Sequence, residues 1–125
     1  MSTRPALLTT SFLAATCLVS IVHAAAPDAA PGYPNKPIRF IVPFAPGGGN
    51  DIVARLIGNR LTDSWGQQII VDNRAGGGGV AGTEMTAKST PDGYTLMLAH
   101  TGTMAINPSL YQKVNYDPVK DFTPV

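Results

Sequence analysis

Cysteine is almost absent from this sequence, which contains one such residue, Cys17, among 125. Cys17 lies in an apolar N-terminal stretch that we expect to be removed, so the remaining chain has no disulfide framework. An excess of charge is lacking as well. Once Arg4 is set aside with that stretch, eight Lys and Arg balance eight Asp and Glu without forming a basic cluster, which argues against nucleic-acid binding. No later run approaches the roughly 20 apolar residues of a membrane-spanning helix.

The first 24 residues have the pattern of a secretory signal peptide. A short basic start, Met1–Arg4, precedes the mostly apolar stretch Pro5–Val22. A Val-His-Ala sequence ending at Ala24 then suits a leader peptidase, so we expect cleavage there, with Ala25 as the alternative, and export to the periplasm. The competing interpretation is an uncleaved membrane anchor, but polar residues interrupt the apolar stretch. Acylation at Cys17 lacks the Leu and the small residue that should precede the Cys.

After the signal peptide the chain divides into a lead-in and an α/β region. Residues 25–37 are rich in Pro and Ala without periodicity, which indicates an exposed lead-in. Residues 38–125 alternate short apolar runs with helical patterns, and this order predicts a parallel sheet with right-handed crossovers. The predicted strands are Ile38–Phe44, Gln68–Asp72 and Tyr94–His100, and the second predicted helix is Val80–Ser89.

The first predicted helix has signals at both ends and along one side. Asn50 suits the N-cap, Asp51 suits the positive end of the helix dipole, and Gly66 suits the C-terminal stop. Its apolar residues recur at helical spacing and are expected to face the sheet; they are Ile52, Val53, Leu56, Ile57 and Leu61.

Three loops follow the predicted strands, and ligands of parallel α/β sheets bind beyond the carboxyl ends of the strands. The loops are Pro43–Asn50, Asn73–Gly79 and His100–Thr103. Two of them are glycine-rich and lead into helix N-termini, where unpaired N–H groups favour an anion such as a carboxylate or a phosphate.

The spacing Gly77-x-Gly79-x-x-Gly82 is also that of a dinucleotide fingerprint. Four residues separate Gly77 from the preceding strand, however, and no acidic residue ends the next strand to bind a ribose. Export would also remove the protein from the cytosolic nucleotides. A P-loop is absent, so we expect no nucleotide and no other cofactor.

Catalytic and metal-binding patterns are poorly represented. No Ser lies in a G-x-S-x-G turn, and no two His residues have metal spacing once the signal peptide is removed. His100 is interpreted mainly as a loop residue bonded to backbone, and Arg74 either as a ligand partner or as part of a structural salt bridge. Asn107 precedes Pro108, which disfavours helix at Asn107. We expect no catalytic residue and no metal ligand.

Three segments, YPNKPIRFIVPFAPGGGNDIVAR, VDNRAGGGGVAGTEMTAKSTPDGYTLMLAHTGTMAINPSLY and YDPVKDFTPV, closely resemble the substrate-binding proteins of tripartite tricarboxylate transporters, the Bug-type periplasmic receptors. The resemblance runs from Tyr33 to Val125, with Asn50 at a position where many members carry Thr or Ser. It implies a type II periplasmic-binding-protein fold, of which residues 38–125 would be the N-terminal part of the first lobe, the parallel-sheet part only.

The resemblance also implies a function. A monomeric receptor would capture a small carboxylate between two lobes and deliver it to two membrane subunits of a secondary transporter. A secreted α/β hydrolytic enzyme using His100 and a ligand sensor feeding a signalling partner remain the alternatives. Carried over to this sequence, the ligand contacts would be Phe44, Ala45, Pro46, Gly47, Gly48, Gly49, Gly78, Gly79, Thr101, Gly102, Thr103 and Asn107.

Overall fold

The computed structural model describes residues 32–125, so the predicted signal peptide and most of the lead-in lie outside the described residues. No helix within that range is both long and apolar enough to cross a membrane. The strands are β1 (Ile38–Val42), β2 (Ile69–Asn73) and β3 (Thr95–Met97), and the helices are α1 (Gly49–Trp65), α2 (Val80–Ala87) and α3 (Asn107–Leu110). A 3-10 turn, Gly77–Gly79, precedes α2, and a π-helical turn, Gly102–Ile106, precedes α3.

The three strands form one parallel sheet, as the alternation of elements predicts, and their order in it is β2-β1-β3. β1 pairs with β2 from Ile38 opposite Ile69 and with β3 from Arg39 opposite Thr95. Because all three strands run the same way, their carboxyl ends lie at one edge of the sheet. The main cluster of buried apolar residues lies between the sheet and α1 and consists of Ile38, Phe40, Val42, Ala54 and Ile69.

The ends of all three strands differ from the predicted ends by at most three residues. β1 ends at Val42 because the next residue, Pro43, has no N–H to continue the ladder. β3 is shorter than the predicted Tyr94–His100, although Leu98 N still donates to Ile41 O at 2.9 Å. Beyond Leu98 the chain turns away from β1.

The predicted N-cap of α1 is wrong, whereas the predicted stop is confirmed. α1 begins at Gly49 with Gly48 as its cap, so Asn50 lies inside the first turn. The Asp51 carboxylate restrains this start by accepting a bond of 2.9 Å from the N–H of Gly47, the residue before the cap. Gly66 ends the helix with a φ of 66° and donates its N–H to Thr62 O.

The face of α1 that packs on the sheet is also different from the prediction. Asp51, Ala54 and Gly58 are the buried residues of this helix. A Cβ at Gly58 would lie 3.3 Å from Ile69 Cγ2, so small residues here let the helix approach the sheet closely. Leu61 packs against the core as predicted. The other four residues of the predicted stripe are exposed: Ile52 by 55%, Val53 by 46%, Leu56 by 63% and Ile57 by 41%.

Asn107 is helical, although the following Pro108 disfavours helix at this position. Asn107 has helical φ and ψ of −58° and −42°, and Pro108 occupies the first turn of α3. Pro108 has no N–H to donate back to the wider π-helical turn. The hydroxyl of Tyr116 donates to Thr103 O instead, so the carbonyl five residues before the proline still has a partner.

The exposed apolar side of α1 predicts self-association of the 32–125 segment. Leu56→Glu should reduce association measured by light scattering, because it places a charge in the centre of that side. Since Leu56 is exposed, the free energy of unfolding should change by no more than about 0.5 kcal/mol. Ala54→Glu is the matched control on the buried side and should prevent folding. Unchanged association in Leu56→Glu would contradict the prediction.

Candidate functional site

The three predicted loops meet at the carboxyl edge of the sheet, around Gly79. A Cβ built on Gly79 would lie 2.6 Å from Thr103 Cγ2, 3.3 Å from Pro43 O and 3.5 Å from Phe44 Cζ. These atoms belong to the loops that follow β3 and β1, while Gly79 itself belongs to the loop that follows β2. The three segments are therefore in contact and form one surface.

The second loop has a backbone that only glycine adopts readily. Gly76, Gly77, Gly78 and Gly79 have φ values of 143°, 55°, 62° and 93°, all in the region that side chains disfavour. Asn107 Nδ2 donates to Gly78 O at 3.0 Å and holds this peptide group from the third loop. The N–H of Gly79 is engaged within the turn, since it donates to Gly76 O at 3.0 Å.

The first loop presents the start of α1 to solvent. Ala45, Pro46, Gly48 and Gly49 are exposed, and the first N–H groups of a helix have no partner within the helix. The N–H of Gly47 differs because it already donates to Asp51. The loop therefore offers the amides at Gly48 and Gly49, next to the positive end of the helix dipole.

The third loop is held together mainly by its own backbone. His100 O accepts bonds from the N–H groups of Thr103 and Met104 and from the Thr103 hydroxyl, and His100 Nδ1 accepts from Gly102 N at 3.0 Å. Thr103 is fully buried, so its hydroxyl stabilises the turn and does not face solvent. Thr101 is exposed. The His100 ring packs edge-on against Phe44, with centroids 5.2 Å apart.

The cationic residue nearest to these glycines in sequence, Arg74, is engaged in an ion pair. Arg74 Nε lies 2.8 Å from Asp72 Oδ1, and Arg39 pairs with the other carboxylate oxygen. Burial raises the pKa of Asp72, but the bonds from Arg74 and Arg39 outweigh it and the pKa is lowered overall. Of the two interpretations of Arg74, the geometry therefore matches the structural salt bridge.

Sequence reasoning missed Asn73 and Arg55, which connect the first loop to the end of β2. Asn73 Nδ2 donates to Phe44 O at 3.2 Å, and Arg55 Nη2 donates to Asn73 Oδ1 at 3.4 Å. The position of Asn73 was an available signal, because a polar residue directly after a buried strand faces the ligand-binding edge of a parallel sheet.

A cavity of about 890 Å³ lies elsewhere, beside β3, and is lined by that strand and by residues 118–125 among others. None of the twelve predicted ligand contacts lines it. Its walls are mainly apolar side chains without the convergent amides of the loops, so the loops remain the better candidate for binding an anion. Within residues 32–125 no cluster of His, Cys, Asp and Glu has the composition of a metal site.

The chain is similar to several known proteins. A model of the tripartite tricarboxylate transporter family receptor matches residues 53–125. BugT of Bordetella pertussis (strain Tohama I) is 49% identical over 102 residues, which cover 81% of this chain and 31% of that protein. The solved periplasmic binding protein BugD is 40% identical with a TM-score of 0.70, covering 74% of this chain and 30% of that chain. MatC from Rhodopseudomonas palustris, solved with bound malate, is 42% identical with a TM-score of 0.71, covering 74% and 32%.

The sheet and its similarity to solved structures define the α/β fold of a periplasmic binding protein, as the resemblance implied. The chain belongs to the tripartite tricarboxylate transporter receptor family. It spans about a third of the length of the relatives it matches.

The contact at Gly79 predicts a large loss of stability on substitution. Gly79→Ala adds a methyl group 2.6 Å from Thr103 Cγ2, in addition to the strain of its positive φ. Gly77→Ala is the matched control, because its φ of 55° is also positive but its nearest neighbour is 3.5 Å away. Gly77→Ala should lower the free energy of unfolding by about 1–2 kcal/mol, and Gly79→Ala by roughly 1–3 kcal/mol more. Equal losses in chemical denaturation would show that the close contact is absent.

Acid should remove the stabilisation that Asp51 provides. The bond from the N–H of Gly47 and then the bond from Arg55 lower the pKa of Asp51. A carboxylate with a lowered pKa stabilises the fold above its unfolded pKa of about 4, and this stabilisation disappears as the pH falls through the folded value. The gap in melting temperature between wild type and Asp51→Asn should therefore narrow from about pH 6 to about pH 2. A constant gap would contradict this assignment.

Proposed function

We propose that this chain is part of a periplasmic receptor that binds a small organic acid at the three loops beyond the carboxyl ends of β1, β2 and β3. The observation that carries the proposal is the contact of two glycine-rich helix starts with the third loop around Gly79. In this arrangement a carboxylate would be bound by peptide N–H groups and by the positive ends of α1 and α2.

The twelve predicted contact residues have different roles in this proposal. Gly48, Gly49, Gly78 and Thr101 are exposed and would face the ligand. Gly47, Gly79, Gly102 and Thr103 would shape the site, because their donors are already engaged within the protein. Asn107 would hold the Gly78 peptide group in place, and Phe44, Ala45 and Pro46 would complete the wall of the first loop.

The proposed ligand class is a small organic acid that carries a carboxylate. The structure of MatC with malate supports this class, because MatC is 42% identical to this chain. The proposal also includes the organisation inferred from the sequence: a signal peptide of residues 1–24, a lead-in of residues 25–37, and residues 38–125 as the N-terminal part of a first lobe. A monomeric receptor of this kind would deliver its ligand to the two membrane subunits of a tripartite transporter.

Two other functions would use the same surface differently. In a hydrolytic enzyme His100 would act on a substrate, but its Nδ1 accepts the N–H of Gly102, which is a structural role. In a sensor the ligand would be the same and only the partner would differ. The receptor is favoured over the enzyme because its proposed site consists of backbone donors and does not require a reactive side chain.

A panel of acids tests the proposal on the full-length protein. Malate, citrate and an aromatic acid are each added at a saturating concentration. At least one of them should raise the melting temperature, because a ligand that binds only the folded state stabilises it. A sugar and a cationic amine are the matched negative controls. The bound acid should be recovered chemically unchanged. A shift with the sugar or the amine alone, or conversion of the acid to a product, would refute the receptor function.

A further inference from the structure

A buried carboxylate lies directly under the first glycine-rich loop, and the proposed ligand contacts do not include it. Asp51 is only 4% exposed, although it lies in the first turn of a helix whose neighbouring residues face solvent. Burying a charge is unfavourable unless it is paired and hydrogen-bonded. The position therefore requires specific partners. Oδ2 has hydrogen bonds, whereas Oδ1 has an ion-pair contact with Arg55 but no hydrogen bond within residues 32–125.

The partners of Asp51 form a continuous chain of hydrogen bonds. Asp51 Oδ2 accepts from the N–H of Gly47 at 2.9 Å and from Arg55 Nε at 3.1 Å. Arg55 Nη2 lies 3.1 Å from Asp51 Oδ1 and 3.4 Å from Asn73 Oδ1. Asn73 Nδ2 in turn donates to Phe44 O at 3.2 Å.

This chain of bonds begins and ends on the same loop. Phe44, held through its carbonyl, is at the start of the loop, and Gly47, held through its N–H, is at its end. Between these two points lie only Ala45 and Pro46, and directly after them come the exposed amides of Gly48 and Gly49. We call this set, Asp51 with Arg55 and Asn73, the loop brace.

We propose that Asp51 is a positioning residue for carboxylate binding, which fixes the Gly47–Gly49 backbone through the loop brace before the ligand arrives. This inference rests on the proposed function, because it assigns a role to a residue behind the same site. A loop that is already ordered loses less conformational entropy when the ligand binds, and the affinity is correspondingly higher. Gly47 needs such a restraint, since its φ of 83° is one of many conformations open to glycine.

The charge of Asp51 is compatible with an anionic ligand nearby. Its two oxygens are directed at Arg55 and at the Gly47 N–H, and the Arg55 guanidinium offsets the negative charge. The Arg55 cation in the loop brace therefore pairs with the protein's own carboxylate, and the ligand carboxylate would be bound by the peptide amides.

The test measures affinity and loop order separately in the full-length protein. Malate affinity is measured by calorimetry at a temperature well below the melting point, or with whichever acid from the panel binds. Hydrogen exchange at the Gly47 amide is measured without ligand. Asp51→Ala should bind about tenfold more weakly and lose protection at Gly47, because the loop must then be ordered at the expense of binding. Asp51→Asn should lie between Asp51→Ala and the wild type, since its amide oxygen still accepts the Gly47 N–H.

Two further variants make the result interpretable. Asp63→Ala removes an exposed acid from the same helix and should leave both measurements unchanged. Asn73→Ala removes the bonds of Asn73 to Phe44 O and to Arg55. It leaves the Asp51–Arg55 pair in place and should also weaken binding. This variant tests the proposal if Asp51→Ala does not fold.

The outcomes distinguish the brace from the function on which it rests. Wild-type affinity in Asn73→Ala and in every folded Asp51 variant, even with a lower melting temperature, would overturn the positioning role and leave Asp51 as a stabilising residue only. A wild-type protein that binds no acid would overturn the proposed function, and the positioning role with it.

Discussion

The first turn of α2 lies against the backbone of both neighbouring loops, and the rest of the site depends on this close contact. A Cβ at Gly82 would lie 2.8 Å from Arg74 O and 2.9 Å from Pro43 Cα, and one at Gly79 would meet Thr103 just as closely. Neither position has room for a side chain. The glycines therefore set the distance between α2 and the ends of β1 and β2, and this distance brings the three loops together.

This contact also explains a spacing that is otherwise misleading. Gly77-x-Gly79-x-x-Gly82 has the glycine pattern of a dinucleotide-binding turn, in which the last glycine lets the helix pack closely on the strand. Gly82 has that same packing role here. The physical requirement for close packing of a helix N-terminus is shared between the two kinds of protein, whereas the requirement for a ribose-binding acid is not. The glycine spacing alone therefore does not distinguish an organic acid from a nucleotide.

Sequence patterns predicted the positions of the helices and strands better than they predicted which residues of those elements are buried. The parallel sheet, the end of α1 at Gly66 and the meeting of the loops follow from local signals and from the geometry of parallel sheets. The side of α1 that packs on the sheet could not be read from apolar spacing, because close approach selects Ala54 and Gly58 over larger residues. Asn50 was wrongly predicted as the cap. The start of α1 is instead restrained by the bond from the Gly47 N–H to the Asp51 side chain, which the sequence pattern does not reveal.

The candidate site shows the same division between local and long-range information. The glycine runs identify where a ligand can approach the backbone, since glycine is required wherever φ is positive. Which backbone groups remain available depends on partners far along the chain, such as the Tyr116 hydroxyl that donates to Thr103 O. Helix at Asn107 is a further case, because the fold overrides the local preference that a following proline imposes.

The run Gly76–Gly79 affects how much conformational freedom the second and third loops have. Four consecutive glycines have more backbone freedom in the unfolded chain than any other four residues, so fixing them costs the most conformational entropy. The bond from Asn107 to Gly78 O, between residues 29 positions apart, opposes that cost. The second loop is therefore restrained in part by the third loop, in addition to the bond of its own Gly79 N–H to Gly76 O. Any event that tightens the third loop also narrows the set of conformations of the second, so the two loops are linked through chain entropy as well as through contact.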